Sequence, residues 1–172
     1  MTMIQYIHEN DEVLYCREKY ASATMDLVRH LKSLALRNER QRVRICMHDN
    51  KNSDLHEMLI LHTKNCYVRP HAHLCNDESI TVFEGEADLI IFDNYGNIES
   101  SVKLTKYEGS GCFYYKIKKN VFHMLIIKSE FLVFKEVAEG PFSKSKLKYA
   151  TWSPDEISDD YLTYITKINS QI

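Results

Sequence analysis

The chain has 172 residues, of which 44% are hydrophobic and 27% charged, and its formal net charge at pH 7 is -2. This balance is that of an ordinary globular protein, and the small net charge gives no bulk attraction to nucleic acid or to anionic membranes. No run approaches the roughly 20 apolar residues that a membrane-spanning helix needs. We therefore expect neither nucleic acid nor a membrane as a partner.

The cysteines and the N-terminal sequence indicate a cellular compartment. The first residues lack the basic region and apolar core of a signal peptide. The cysteines are odd in number and scattered along the chain: Cys16, Cys46, Cys66, Cys75 and Cys112. Without a secretion signal, this usage indicates reduced thiols, and we expect a cytoplasmic protein.

Residues 1–41 are the least β-like part of the chain. We interpret them as an N-terminal arm, with a short strand, followed by a helix that lies against a β body. The helix is predicted because Leu27, Val28, Leu31, Leu34 and Ala35 recur at helical spacing. Ser22 or Thr24 could cap it. No linker rich in Pro, Gly or Ser follows, so the whole chain, 1–172, is predicted to be one domain.

A basic cluster lies at the end of this region, formed by Arg37, Arg40, Arg42 and Arg44. One interpretation is a solvated face or a set of ion pairs. The other is a patch that binds anions or contacts a second subunit.

Residues 42–140 change to a period of two. Val43, Ile45 and Met47 alternate with polar neighbours, which is typical of a half-buried strand. Further strands are predicted at 57–62, 78–84, 87–92, 98–104, 113–117, 121–127 and 131–137. Turn signals recur about every eight to twelve residues, a rhythm that favours an antiparallel sandwich or barrel, with a jelly roll among the options.

Residues 141–172 are predicted to be a C-terminal extension with a helix. Ser153, Pro154 and Glu156 form a capping box that would start the helix. Ile157, Tyr161, Ile165 and Ile168 follow at helical spacing. We expect this helix to pack on the barrel, and it could also contribute to a dimer contact.

Two histidines and a glutamate form the most informative motif. In a strand, residues i and i+2 face the same side, so His71 and His73 present two imidazoles together. Glu78 opens the next predicted strand. Two neutral imidazoles and a carboxylate are a plausible ligand set for a divalent transition metal. Cys75 lies between them and could be a ligand or a loop thiol near the site.

The spacing His-x-His-x4-Glu-x6-Gly, ending at Gly85, resembles the first signature of the cupin superfamily residue for residue. The second signature of that superfamily supplies one more histidine, and the resemblance implies that His123 is this ligand. The usual glycines are replaced by Asn65 and Asn120, the proline by Lys118, and the terminal asparagine by Ile127. Asn120 can still adopt the left-handed conformation of a glycine.

Longer segments between about residues 42 and 155 resemble the WbuC-like cupin family of bacterial polysaccharide gene clusters. They include residues 67–73, 82–86, 91–96, 113–117, 133–136, 140–142 and 150–154. The resemblance implies an all-β cupin barrel, the double-stranded β-helix or jelly roll, with a bound metal and a setting in surface-polysaccharide synthesis. It brings no firmly assigned reaction. Cupin barrels often pair, so we expect a homodimer.

The ligand set leaves the metal and the reaction open. His71, His73, Glu78 and His123 would leave two positions of an octahedral ion for water or substrate, and Fe, Mn, Ni or Zn could fit. Further polar residues on predicted strands could bind anions or transfer protons, with surface salt bridges as the alternative: Arg69, Glu57, Tyr114, Lys116, Lys135 and Glu136.

Three functions compete for this site. The first is a metal-dependent enzyme that isomerises, epimerises or dehydrates a sugar or nucleotide-sugar. The second is a non-haem iron dioxygenase. The third is a sugar-binding or regulatory module without catalysis. In each case we expect a carbohydrate-derived small molecule as the ligand, and the fold alone does not decide among them.

Overall fold

A computed structural model describes residues 4–172, so the first three residues of the predicted N-terminal arm lie outside the described part of the chain. The first six strands are β1 (Tyr6–His8), β2 (Val13–Cys16), β3 (Arg42–Cys46), β4 (Leu55–Thr63), β5 (His71–His73) and β6 (Glu78–Glu84). The next six are β7 (Glu86–Phe92), β8 (Ile98–Thr105), β9 (Tyr114–Ile117), β10 (Phe122–Ile127), β11 (Phe131–Glu139) and β12 (Leu147–Tyr149). The α-helices are α1 (Met25–Arg37) and α2 (Tyr161–Asn169), and one 3₁₀ turn spans Lys144–Lys146.

The strands form two sheets that face each other. The larger sheet has the order β1-β2-β3-β4-β11-β6-β9, and the smaller has the order β12-β5-β10-β7-β8. Between β4 and β11 the chain alternates between the sheets, except at the β7–β8 hairpin, and every neighbouring pair among these eight strands is antiparallel. This is the strand order of a jelly roll. The predicted double-stranded β-helix with helices at both ends is confirmed.

Both sheets supply the core between them. Ile80 and Phe134 from the larger sheet pack against Leu89 and Leu125 from the smaller one. The larger sheet is covered on its outer side by α1, which buries Leu27, Val28, Leu31 and Ala35 against it. This helix begins where predicted because the hydroxyl of Thr24 accepts a hydrogen bond from the Leu27 amide.

As a result, β3 has no solvent face. Val43 and Ile45 lie under α1, whereas Arg44 and Cys46 point to the space between the sheets. The alternating residues of this strand therefore face the helix α1 on one side and the space between the sheets on the other, and neither side is an open solvent face.

The C-terminal helix begins later than predicted. α2 starts at Tyr161 and not after Ser153, and Ile157 is exposed outside it. Tertiary contacts explain the difference: the Ser153 hydroxyl is buried against the Ala150 carbonyl at 3.2 Å, and the Glu156 carboxylate accepts from Arg42 at 3.2 Å. Because these side chains are engaged elsewhere, they do not cap a helix at this point.

The outer side of the smaller sheet is covered by the C-terminal segment. Ile168 of α2 and the Trp152 ring pack on residues of β7 and β10, including Phe92 and Phe122. Within residues 4–172, no helix has both the length and the apolar character to cross a lipid bilayer.

Candidate metal centre

Four of the predicted ligands meet between the two sheets. β5 carries His71 and His73, and His123 of β10 is the direct partner of His71 across the smaller sheet. Candidate ligand atoms of the three histidines lie within 4.8 Å of one another. Glu78, at the start of β6, reaches the same point from the larger sheet. The site therefore exists only when both sheets are in place.

The Glu78 carboxylate links two of the imidazoles. Its Oε1 lies 2.6 Å from Nε2 of His123, and its Oε2 lies 3.0 Å from Nε2 of His73. The side chains of Glu78 and His123 are only 4% and 5% exposed. A buried carboxylate of this kind needs cationic or hydrogen-bonding partners, and the histidines supply them.

Backbone carbonyls fix two of the rings. Nδ1 of His71 lies 2.9 Å from the Arg69 carbonyl oxygen, and Nδ1 of His123 lies 2.9 Å from the Val121 carbonyl oxygen. In each case the residue two positions earlier in the sequence, just before the strand begins, provides the acceptor. Nδ1 then carries the proton, and Nε2 keeps the lone pair that a metal requires.

Charge and burial act differently on the four groups. Burial, and next the neighbouring His123, lower the pKa of His71 to about 3, so this ring is neutral. For His73 and His123, burial opposes the charged form, but the Glu78 carboxylate outweighs it and raises each pKa. Burial acts on Glu78 in the opposite sense, and the two histidines still hold its pKa well below the usual range. Metal binding would therefore compete with protonation of His73 and of His123.

The loops that carry the departures from the cupin signature also support the site. Asn120 has φ 63°, the left-handed conformation, and its amide donates to the His73 carbonyl at 2.7 Å. Asp77 accepts from the Lys118 ammonium at 2.9 Å and from the Lys119 amide at 3.1 Å. These contacts fix the turn before β10 and the residue that precedes Glu78.

The metal donors line a cavity of about 780 Å³ between the sheets. Ile80, Phe134 and Leu125 supply apolar wall, and Glu136 of β11 adds another carboxylate. Burial, and next the negative charge of Glu78, raise the pKa of Glu136 to about 7. Glu136 can therefore exchange a proton near neutral pH.

The other residues predicted as possible catalysts lie elsewhere. Glu57 pairs with Lys135 on the outer face of the larger sheet. Lys116 lies 3.2 Å from Asp77, and the Tyr114 side chain is half exposed. Among the residues that the structure describes, none of these four predicted catalysts lines the cavity.

Arg69 and Cys75 also lie to the side of the donors. The Arg69 guanidinium donates to the Ala150 carbonyl oxygen and to Ser153, and it pairs with Asp155. It thus holds the C-terminal segment while its own carbonyl orients His71. Cys75 is exposed and is not part of the histidine group.

Several polar groups on the cavity wall were not predicted as site residues: Tyr15, His48, His56 and His62. A signal was present in β4, where His56 and His62 share the alternation of Met58 and Ile60. Two histidines in register with core residues point to a polar patch inside the barrel.

Comparisons with known proteins agree on the fold. A family profile described as "Domain of unknown function (DUF6016)" matches residues 23–104. No curated protein matches the sequence. The crystal structure of protein SO0799 from Shewanella oneidensis is 10% identical, with a TM-score of 0.55 over 73% of this chain and 83% of that one. The chain has a cupin fold.

Two further solved structures are similar. L-ribose isomerase from Cellulomonas parahominis, solved with L-psicose, is 13% identical, with a TM-score of 0.50 over 64% of this chain and 70% of that one. An uncharacterized protein of Klebsiella pneumoniae with a double-stranded β-helix domain is 15% identical, with a TM-score of 0.48 over 63% and 84%. Identities this low concern the fold alone.

Proposed function

We propose that this protein binds one divalent transition metal through His71, His73, Glu78 and His123 and acts on a carbohydrate-derived small molecule beside it. The observation that carries the proposal is the convergence of four donor groups from both sheets. It is strengthened by the two backbone carbonyls that hold Nδ1 of His71 and of His123 and so direct Nε2 of each ring toward the centre.

The donor set suits the proposed cofactor. Imidazole nitrogen and carboxylate oxygen together are the ligands of Fe, Mn, Ni and Zn in proteins. Of the three imidazoles, only that of His71 has no hydrogen-bond partner at Nε2 within residues 4–172, and its low pKa keeps it neutral. The buried Glu78 would contribute a negative charge that lowers the overall charge of a bound dication.

The reaction that best fits the cavity is a proton transfer on a sugar, as in isomerisation or epimerisation. A bound dication would polarise a substrate carbonyl. In an isomerisation, the Glu136 carboxylate would take the proton from the carbon next to the carbonyl and return it, on the same face, to the former carbonyl carbon, while the hydroxyl proton passes from one substrate oxygen to the other. A base with a pKa of about 7 matches this task because it is substantially ionised at neutral pH and still able to give the proton back.

The dimensions and the fold likeness support this choice. A cavity of about 780 Å³ is within the usual range for small-molecule sites, roughly 300–1,000 Å³. It has room for a sugar and part of an attached group. The likeness to an L-ribose isomerase shows that this barrel is compatible with sugar isomerisation in another protein.

We also propose the wider setting that the WbuC-like segments imply. In this proposal the protein is a cytoplasmic homodimer, each chain is a single domain, and the ligand belongs to bacterial surface-polysaccharide synthesis. The free cysteines, three of them buried, are compatible with a reducing compartment.

The test is turnover with defined metals. Chelator-treated protein is reloaded with Fe(II), Mn(II), Ni(II) or Zn(II), and sugars and nucleotide-sugars are incubated with it in D₂O. We expect one ion per chain and metal-dependent deuterium exchange at carbon, measured by NMR. Glu136→Gln should abolish the exchange, whereas Glu57→Gln, a carboxylate lost from the outer face, should not.

The outcomes separate the competing functions. Oxygen consumption with Fe(II) would favour a dioxygenase over proton transfer. Tight sugar binding without exchange would favour a binding module. A wild-type protein that takes up none of the four metals would refute the metal centre.

A further inference from the structure

The cavity has a second polar region, away from the metal donors, on the wall formed by β3 and β4. Arg44 lies there, directly opposite Ile60 in the register of the two strands, and it lines the cavity. In residues 4–172 no carboxylate lies within ion-pair distance of its guanidinium, and its Nε is shielded from solvent without a hydrogen-bond partner.

The neighbouring arginines show what is unusual about Arg44. Arg42 lies 2.9 Å from Glu12 and 3.2 Å from Glu156, and Arg40 pairs with the same two carboxylates. These two guanidiniums therefore belong to an ion-pair network that joins β3 to the chain on either side. Arg44 alone of the three faces the cavity without a counter-ion.

Two histidines of β4 also have unpartnered nitrogens, and His62, two residues from Ile60, is the nearer to Arg44. His56 and His62 of β4 are 6% and 8% exposed, and Nε2 of His56 and Nδ1 of His62 have no hydrogen-bond partner within the described chain. Burial, followed by Arg42 and Arg44, lowers the pKa of His62 to about 3, so its ring is neutral. A buried polar atom without a partner destabilises the fold, and such atoms are rare unless a ligand or water serves them.

These groups are suited to an oxyanion. A guanidinium offers several N–H donors in a fixed plane that matches carboxylate and phosphate, and a neutral imidazole adds a donor. The wall also brings two lysines without ion pairs in the described residues, Lys51 and Lys144. Glu9 lines the cavity too, but it is exposed and makes no ion pair with Arg44.

We propose that Arg44, with His62, forms an oxyanion subsite, so that the ligand of the metal centre carries a carboxylate or phosphate group. This inference rests on the proposed function, because it assumes that the sugar part of the ligand lies at the metal centre. It narrows the substrate class from carbohydrates in general to acidic sugars and sugar phosphates.

The strand order sets the length of such a ligand. Arg44 on β3 and Glu78 on β6 are separated by β4 and β11. Three inter-strand spacings of about 4.8 Å place their backbones at least about 14 Å apart. Both side chains point into the cavity, so a ligand of monosaccharide size with one anionic substituent can contact both ends.

Binding of simple probes tests the subsite. Calorimetric titrations of the purified protein use glucuronate for the carboxylate, glucose 6-phosphate for the phosphate, and neutral glucose as the reference. We expect at least one of the two anions to bind at least tenfold more tightly than glucose. Arg44→Gln should weaken that anion at least tenfold and leave glucose unchanged, and Arg44→Lys should weaken it less.

Arg29→Gln is the matched control, because it removes the same charge from an exposed position on α1. It should leave all affinities unchanged. The proposal is overturned if neither anion binds the wild type better than glucose, or if Arg44→Gln binds the anion as well as the wild type does. Metal content is measured in parallel, and Arg44→Gln should keep its ion. If the wild type binds no metal but its affinity for the anion still depends on Arg44, the metal centre is refuted and the oxyanion subsite is not.

Thermal stability without ligand gives an independent test. Because Arg44 has no counter-ion, Arg44→Met should leave the melting temperature unchanged or raise it. Arg42→Met, which leaves Glu12 and Glu156 with one partner fewer, should lower it. An equal fall for both variants would mean that Arg44 has a structural role and would contradict the subsite.

Discussion

Replacing His123 by alanine tests the metal centre and the buried charge network together. In the metal-free protein, His123 is the nearer of the two partners of Glu78, at 2.6 Å, and both side chains are almost fully buried. Removing one partner of a buried ion pair typically destabilises a protein by about 3–5 kcal/mol. Glu78 keeps His73 at 3.0 Å, so we expect the lower end, about 3 kcal/mol.

His71→Ala is the matched comparison. It removes the same ring from the facing position of β5, but His71 is neutral, and its hydrogen bond goes to a backbone carbonyl. Its loss leaves no buried charge unpaired. In the presence of chelator we therefore expect His123→Ala to melt about 6–12 °C below the wild type, and His71→Ala to melt only a few degrees below it.

With metal, the two variants should behave alike. A ligand that binds only the native state at 100 times its dissociation constant stabilises it by about 2.7 kcal/mol. Both variants should lose this increment, measured by differential scanning fluorimetry together with metal analysis. Full metal content in His123→Ala would show that His123 is not a ligand. Equal melting temperatures of the metal-free variants would refute the charge network around Glu78.

Three further outcomes are expected. With chelator, the melting temperature should fall as pH rises above about 6.5, because the raised pKa values of His73 and His123 stabilise the fold only while these rings are charged. With bound metal, the melting temperature should instead rise over the same pH range. Parallel curves with and without metal would contradict this expectation. Glu136→Gln should raise the melting temperature at pH 8 by the equivalent of up to about 3 kcal/mol and leave it unchanged at pH 5, because the Glu136 pKa is raised to about 7. Arg69→Ala should lower the melting temperature without loss of metal, and a metal-free variant would instead place Arg69 in the site.

The strands of the barrel were predictable because burial on one face gives period-two patterning. The boundaries of β10, predicted at 121–127, differ from the structure by one residue, and those of β4 by two or fewer at each end. The pairing of His71 and His73 was predictable for a related reason, because residues i and i+2 of a strand point to the same face.

Tertiary contacts explain what the sequence did not show. The Ser153 capping box has the right residues for a helix, but the Ser153 hydroxyl donates to the nearby Ala150 carbonyl, and the Glu156 carboxylate accepts from Arg42, which is distant in sequence. For the cluster that contains Arg44, the sequence leaves open a solvated face with ion pairs and a patch that binds anions or contacts a second subunit, because alternation with Val43 is equally typical of a half-buried strand. Only the position of α1 over β3 shows that the arginine side faces the barrel interior.

Division of the donors between the sheets has a consequence for folding. The three histidines lie on the smaller sheet and Glu78 on the larger, so a partly folded chain with only one sheet has at most part of the site. The contact between Glu78 and His123 joins parts of the chain that are distant in sequence, and such non-local contacts are slow to form. Full metal affinity would therefore appear only when the two sheets have packed together. A bound ion would link the sheets and slow their separation.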